Sequence, residues 1–371
     1  MYLRHPRRER PLLRWALVVA NLVALGGLYL AVSRPDLFRP SPPSTAVETV
    51  EEHLLRGEAY FREGKLEQAI AHYERAAALD PENALAFARW GQLLAFRRQY
   101  ALAVERTKRG AELAPANPEM NALLAMALDW NGDYDQAVLA ALRAIELDPN
   151  YADAHAYLAE AYADLGRWEE AVQAAEEALR LGESNYVAHL NMGYVRERMG
   201  NYGQAIVAYQ QASQLRPTLS FIYIRLAKNY KVLGNYAEAE AQLLKASEVD
   251  PEDPEAYDEL GLLYYERGEY ERSISLFERA AQINPSYLRA YGHLGLAYYS
   301  QRRYEEAITY LSKAIQLGSQ AVEHYYMLGW AYTFFDECDK AVPYFDHAVR
   351  LDPSAQAAWE GLEACGEQRP D

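Results

Sequence analysis

The fold the sequence predicts is all-α: a solenoid of stacked helix–turn–helix repeats, with one apolar membrane helix ahead of it. Three observations carry that expectation. Pro81, Pro115, Pro149, Pro217, Pro251, Pro285 and Pro353 fall on a single 34-residue grid, with Glu183 and Ser319 at the two other grid points. Small residues recur on the same grid, as in Ala69, Ala103, Ala137, Ala171, Ala205, Ala239, Ser273, Ala307 and Ala341. Within each unit the recurring small and apolar positions are spaced i, i+4, i+7, twice over, which is the face of an α-helix each time.

The first element is a basic tail, residues 1–11. The second is an apolar segment at 12–32, whose core from Trp15 to Val32 is eighteen residues without a charge. A hydrocarbon core needs roughly 20 apolar helical residues, and about 17 suffice. Five arginines precede that core and two follow it, so the N-terminus is expected in the cytoplasm and the remainder exported. The expectation is a single-pass signal-anchor in the cell membrane with an extracytoplasmic, periplasmic body. A cleaved signal peptide, giving a secreted protein, is the alternative, because Ala31-Val32-Ser33 has the small residues a peptidase needs. The linker at 33–49 contains Pro35, Pro40, Pro42 and Pro43, which favour an extended, semi-rigid spacer.

Nine units follow without insertion or deletion: 50–83, 84–117, 118–151, 152–185, 186–219, 220–253, 254–287, 288–321 and 322–355. In each, the eighth position is Gly or Ala, and larger residues such as Leu260 and Tyr264 fill the space between helices. Gly166, Gly200, Gly234 and Gly268 end first helices, and the grid proline stops each second helix from continuing. After Pro353, Trp359 and Leu362 mark one more apolar helix within 356–371. It would cover the last exposed face of a stack.

The stretch DELGLLYYERGEYERSISLFERAAQINP is a close match to the W-x₂-L-G-x₂-Y…A-x₃-F…P pattern and resembles the tetratricopeptide repeat family. The resemblance spans residues 50–355. Ala125 in place of Gly, and Leu94 and Leu128 in place of Tyr, are its main departures. It implies a right-handed superhelix whose first helices line a concave groove.

Residues 1–40 carry a formal charge of +5 and the remainder −21, within −16 for the whole chain. So acidic a body repels phosphate backbones, and no nucleic-acid partner is expected. No phosphate-binding loop, zinc-protease or nucleophile-elbow motif occurs. The expectation is therefore no catalytic residue, no cofactor, no metal and no small-molecule substrate. His155 and His189, at the fourth position of adjacent units, read as packed histidines. An aromatic opens the second helix in seven units, from Tyr100 and Tyr134 through Trp168 to Tyr304, and reads as interhelical packing.

The groove should be lined from the second, fifth, ninth, twelfth and thirteenth positions. At the C-terminal end these include Leu262, Tyr265, Leu296, Tyr299, Tyr326, Trp330 and Phe334. Upstream, Tyr194, Arg198, Phe221, Ile224, Lys228 and Lys231 form a mixed basic and apolar patch. An apolar or aromatic partner segment flanked by acids would fit, with packing of Trp330 and Phe334 on the terminal helix as the alternative. Cys338 opens the second helix of unit nine, and Cys365 ends an antiparallel neighbour. That proximity would let the two bond in an oxidising compartment; two buried core thiols are the other reading, and the sequence leaves both open. The functional expectation is a non-catalytic, membrane-tethered scaffold. Its groove would bind a peptide, helix or loop of an envelope protein during assembly of a complex. The alternatives are a structural subunit of a membrane complex or a recognition subunit of an enzyme making envelope polysaccharide.

Overall fold

The computed structural model describes residues 48–367. The expected tail 1–11, the membrane segment 12–32 and nearly all of the linker 33–49 lie outside the described residues. Among the described residues no helix is long and apolar enough to cross a membrane.

Nineteen α-helices and no strands make up the described residues. The pairs are α1 (Val50–Arg62) with α2 (Leu66–Leu79), α3 (Ala84–Phe96) with α4 (Tyr100–Leu113), and α5 (Pro118–Trp130) with α6 (Tyr134–Leu147). Next come α7 (Ala152–Asp164) with α8 (Trp168–Leu181), α9 (Tyr186–Arg198) with α10 (Tyr202–Leu215), and α11 (Ser220–Val232) with α12 (Tyr236–Val249). The last are α13 (Pro254–Glu266) with α14 (Tyr270–Ile283), α15 (Leu288–Ser300) with α16 (Tyr304–Gln316), and α17 (Val322–Thr333) with α18 (Cys338–Leu351). A final helix, α19 (Gln356–Ala364), packs on α18 and α17. Each 34-residue unit thus contributes one pair.

Local chemistry explains the period. Thr49 and Glu52 form a reciprocal capping box at the start of α1, and Asn83, Asn117, Asn185 and Asp253 accept backbone N–H bonds at later first helices. Such caps satisfy amides that the first turn leaves unpaired. A second device repeats six residues back along the chain. His155 and His189 each meet a backbone oxygen, Pro149 O at 3.0 Å and Glu183 O at 2.8 Å. Asn121, Tyr223, Tyr325 and Trp359 donate to the equivalent carbonyls. The two histidines therefore anchor turns.

Ala69, Ala103, Ala171, Ala205, Ala239, Ala307 and Ala341 are fully buried. A Cβ at Gly261 would lie 2.5 Å from the Phe277 ring, and one at Gly329 2.6 Å from Phe345. The helix pairs are as close as these positions allow. The turn between helices needs a left-handed residue, supplied by glycine in six units, but Arg98, Arg302 and Asp336 hold it at φ of 61°, 61° and 59°.

The solenoid also touches itself. The end of α1 reaches the turn before α11, where Thr218 Oγ1 donates to Arg62 O at 3.0 Å and the Arg216 guanidinium lies 4.3 Å from the Phe61 ring centre. The end of α3 reaches further: Arg97 bonds both carboxylate oxygens of Asp250, at 2.6 and 3.3 Å, and Arg98 pairs with Glu255. The Phe96 ring packs, tilted, with its centre 4.9 Å from that of Phe221 and 5.7 Å from that of Trp130. One apolar core consequently includes Phe61, Leu66 and Leu93 together with Leu219, Ile222 and Leu226. Units one and two clasp units five to seven and close the groove between them.

Candidate functional site

The first helices α5 to α13 turn their inner faces toward this closed groove. Behind the Phe96–Phe221 contact lies a cavity of about 260 Å³. Asp129 from the end of α5, and Glu160 and Asp164 one turn apart on α7, form one side. Asp129 and Glu160 are 3% and 4% exposed. Trp130 Nε1 donates to Glu160 Oε1 at 2.9 Å, and the Tyr194 hydroxyl donates to Asp164 at 2.7 Å. One cation, Arg198, approaches Asp164 at 3.4 Å. Asp129 Oδ1, Glu160 Oε2 and the Asn191 side-chain amide nitrogen have no hydrogen-bond partner among the described residues. Burial, and then the neighbouring carboxylates, push Asp129 well above the usual carboxylate range. Burial raises Glu160 in the same direction, against the Trp130 hydrogen bond. Both effects disfavour the charged form.

Three units further along, the groove holds a second group of acids, Glu255, Asp258 and Glu259. These are fully matched. Lys228 Nζ meets Glu255 at 2.7 Å and Glu259 at 3.0 Å. Arg289 meets Glu259 at 2.8 Å and Asp258 at 3.2 Å, and His293 Nδ1 lies 2.6 Å from Asp258. Desolvation opposes ionisation of Glu259, but Lys228 and Arg289 outweigh it and hold its carboxyl down at about 2.

These contacts relocate several of the expected groove residues. Lys228 faces the groove but is engaged by its own acids. Lys231 pairs with Glu266 at 3.0 Å, and Arg198 with Asp164. The basic patch expected to meet a partner's acids is thus already matched within the chain. Phe221 belongs to the clasp, Ile224 is buried beside the cavity, and Tyr194 bonds Asp164.

At the other end, Leu262, Tyr265, Leu296, Tyr299 and Tyr326 are half-buried around one core, and the Tyr265 hydroxyl lies 2.7 Å from Ser300 Oγ. Trp330 donates to Ala357 O at 2.9 Å and sets its edge on Phe345, so it seats the terminal helix α19. Phe334 is 63% exposed and lies 4.1 Å from the Tyr304 ring centre. With Tyr299, Tyr304 and Trp330 it lines a shallow pocket of about 440 Å³. Cys338 and Cys365 are joined, with their Cα atoms 5.4 Å apart. Of the residues that build the acidic cavity, Asp129, Glu160 and Asp164 sit at the twelfth, ninth and thirteenth positions of their units, which the sequence already marks as groove-facing. Asn191 and Arg225, which also line it, share the sixth position, which the sequence does not mark. Among the described residues no group of three His, Cys, Asp or Glu side chains is arranged to hold a metal ion.

Sequence models described as tetratricopeptide or TPR repeats match at 57–95, 123–186, 186–219, 224–287 and 286–354. The chain belongs to the tetratricopeptide repeat family. No curated protein matches the sequence. Among solved structures, this tetratricopeptide repeat chain is similar to one in the APC/C hetero-tetramer Cut9–Hcn1. The TM-score is 0.60 at 16% identity, over 86% of this chain and 76% of that one. It is also similar to yeast Tom70, with a TM-score of 0.54 at 14% identity, over 86% of this chain and 89% of that one. At these identities the likeness is one of fold.

Proposed function

We propose that the protein is a non-catalytic interaction scaffold that holds a segment of another polypeptide in its concave groove. The observation that carries this reading is the groove itself. Stacked first helices present a closed, polar section and then a run of partly exposed aromatics ending in Phe334. Exposed aromatic surface on a folded body is characteristic of contact sites, and stacked helical repeats use concave faces for extended partners.

The scaffold is anchored by residues 12–32 and works outside the cytoplasm, on an envelope protein. The uncharged run from Trp15 to Val32 and the arginine asymmetry support the anchor. The Cys338–Cys365 bridge supports an oxidising compartment. In spheroplasts, external protease should digest the repeats while the chain resists alkaline carbonate extraction; protection of the repeats would reverse the topology. For the scaffold, a photo-crosslinking residue is placed in native membranes at Tyr299 or at Glu146, which is exposed on α6. A discrete adduct from Tyr299 alone is expected, and adducts from Glu146 alone would move the contact to the second helices.

A further inference from the structure

The two acid groups in the groove differ in one respect that points to a ligand. Glu255, Asp258 and Glu259 have their cations within the chain, whereas Asp129 and Glu160 each keep a buried oxygen with no partner among the described residues. Both oxygens belong to side chains that line the cavity, and both are more than nine-tenths buried. Trp130, Tyr134 and Tyr194 supply aromatic faces to the same cavity. Carboxylates beside aromatic rings attract one kind of group, an organic cation with N–H donors, through charge-assisted bonds and ring quadrupoles together.

The other candidates fit less well. An anion would meet Asp129, Glu160 and Asp164, while the cations that also line the cavity, Arg98, Arg225 and Lys228, are already paired with Glu255, Glu197 and Glu259. The three carboxylates are not arranged to close on a metal ion. The cavity, at about 260 Å³, is below the roughly 300–1,000 Å³ of sites that take drug-sized molecules. It suits a single long side chain.

We propose that this cavity receives the cationic head of a lysine or arginine side chain from the polypeptide held in the groove, between Asp129, Glu160 and the ring of Trp130. The proposal rests on the scaffold reading and specifies one feature of its partner. The recognised segment carries a basic residue, where the sequence alone had suggested flanking acids.

The test uses the full-length protein in detergent and short capped peptides with one central Lys, Arg, norleucine or Glu, followed by calorimetric titration. Free cadaverine serves as a separate arm. The Lys or Arg peptide should bind saturably at millimolar concentration or below, and the norleucine and Glu peptides at least about tenfold more weakly. Glu160→Gln and, independently, Asp129→Asn should each weaken the basic peptide by about tenfold. Glu169→Gln, on the exposed face of α8, should not. Both groove variants are checked for intact fold by circular dichroism. Equal binding of norleucine, unchanged affinity in both variants, or no saturable binding of either basic peptide would overturn the proposal. Binding of cadaverine in preference to the peptides would also overturn it, by assigning the cavity to a free amine. If the Tyr299 crosslink persists while the peptides fail, the cavity proposal falls and the scaffold stands; if the basic peptides bind and Tyr299 gives no adduct, the groove contact moves from the C-terminal aromatics to the cavity.

Discussion

Two clusters of three carboxylates sit in the same groove about one hundred residues apart in sequence, and they are opposite in electrostatic state. Around Asp258, two basic side chains and a histidine bring each acid a partner, and the group is part of the clasp through Arg98. Around Glu160, Arg198 reaches only Asp164, Arg225 faces Glu160 while paired with Glu197, and two oxygens are left over. The first arrangement has the form of a structural brace and the second of a receptor. Burial alone does not separate them, since both sets are deep. What separates them is whether the chain supplies its own counter-charges.

The largest effect that tests this contrast is the loss of a brace cation. Arg289→Met leaves Asp258 and Glu259 short of a partner and should lower unfolding free energy by about 3 kcal/mol, read from denaturant melts. A loss near zero would mean the brace is not structural. Glu160→Gln should move stability the other way, upward by on the order of 1 kcal/mol, because it relieves a buried like-charge contact. A comparable loss would place Glu160 with the brace acids.

The pH dependence should separate the two clusters as well. Asp129 and Glu160 are raised when folded, so the native state keeps protons that the unfolded chain gives up above about pH 4. Their contribution to stability therefore declines as pH rises from there. The charges facing them are Asp164, Arg198 and Arg225, with Arg98, Lys228 and Glu255 across the cavity. Glu259 is depressed from 4.5 to about 2. Its contribution is present above its unfolded value and is lost as pH falls toward 2. Urea titrations across this range should show Asp129→Asn flattening the decline above pH 4 while leaving the acid limb in place. An unchanged slope would remove the buried acids as its source.

The smallest effect concerns two arginines in the same strained turn. Arg302→Gly should raise stability by about 0.5 kcal/mol, as relief of the left-handed conformation outweighs the added freedom of the unfolded chain. Arg98→Gly has the same relief but loses the contact with Glu255, and should be neutral or destabilising. Equal gains would show that the Arg98 contact adds nothing to the clasp.

The period, the helix pairs and their small-residue contacts were legible because each is set within about 40 residues of chain. The approach of Cys338 and Cys365 was legible for the same reason: they lie on neighbouring antiparallel helices. The clasp was not, because Arg97 and Asp250 are separated by 153 positions and meet only through the accumulated curvature of the stack. One local sign existed: an arginine at position 98 where most units place the turn glycine. The basic patch looks free when each position is considered in its own unit. The acids that bind Lys228 and Lys231 come from the next one. Asp129, Glu160 and Asp164 stood on groove positions all along, but acids in so acidic a chain do not stand out until their burial is seen.

A stack of repeats ordinarily opens like a zipper from its ends, since a terminal unit has one neighbour and interior units have two. Here neither end is loose. The first two units are laid against units five to seven, and the last helix is covalently joined to the pair beneath it. The stretch least restrained is therefore internal, from α14 to α16, which neither fastening spans. Opening there exposes two interfaces at once and has no partly frayed state to start from. The consequence is persistence. The chain's lifetime as a folded body then depends on a rate of rupture in its middle, not on fraying from its ends.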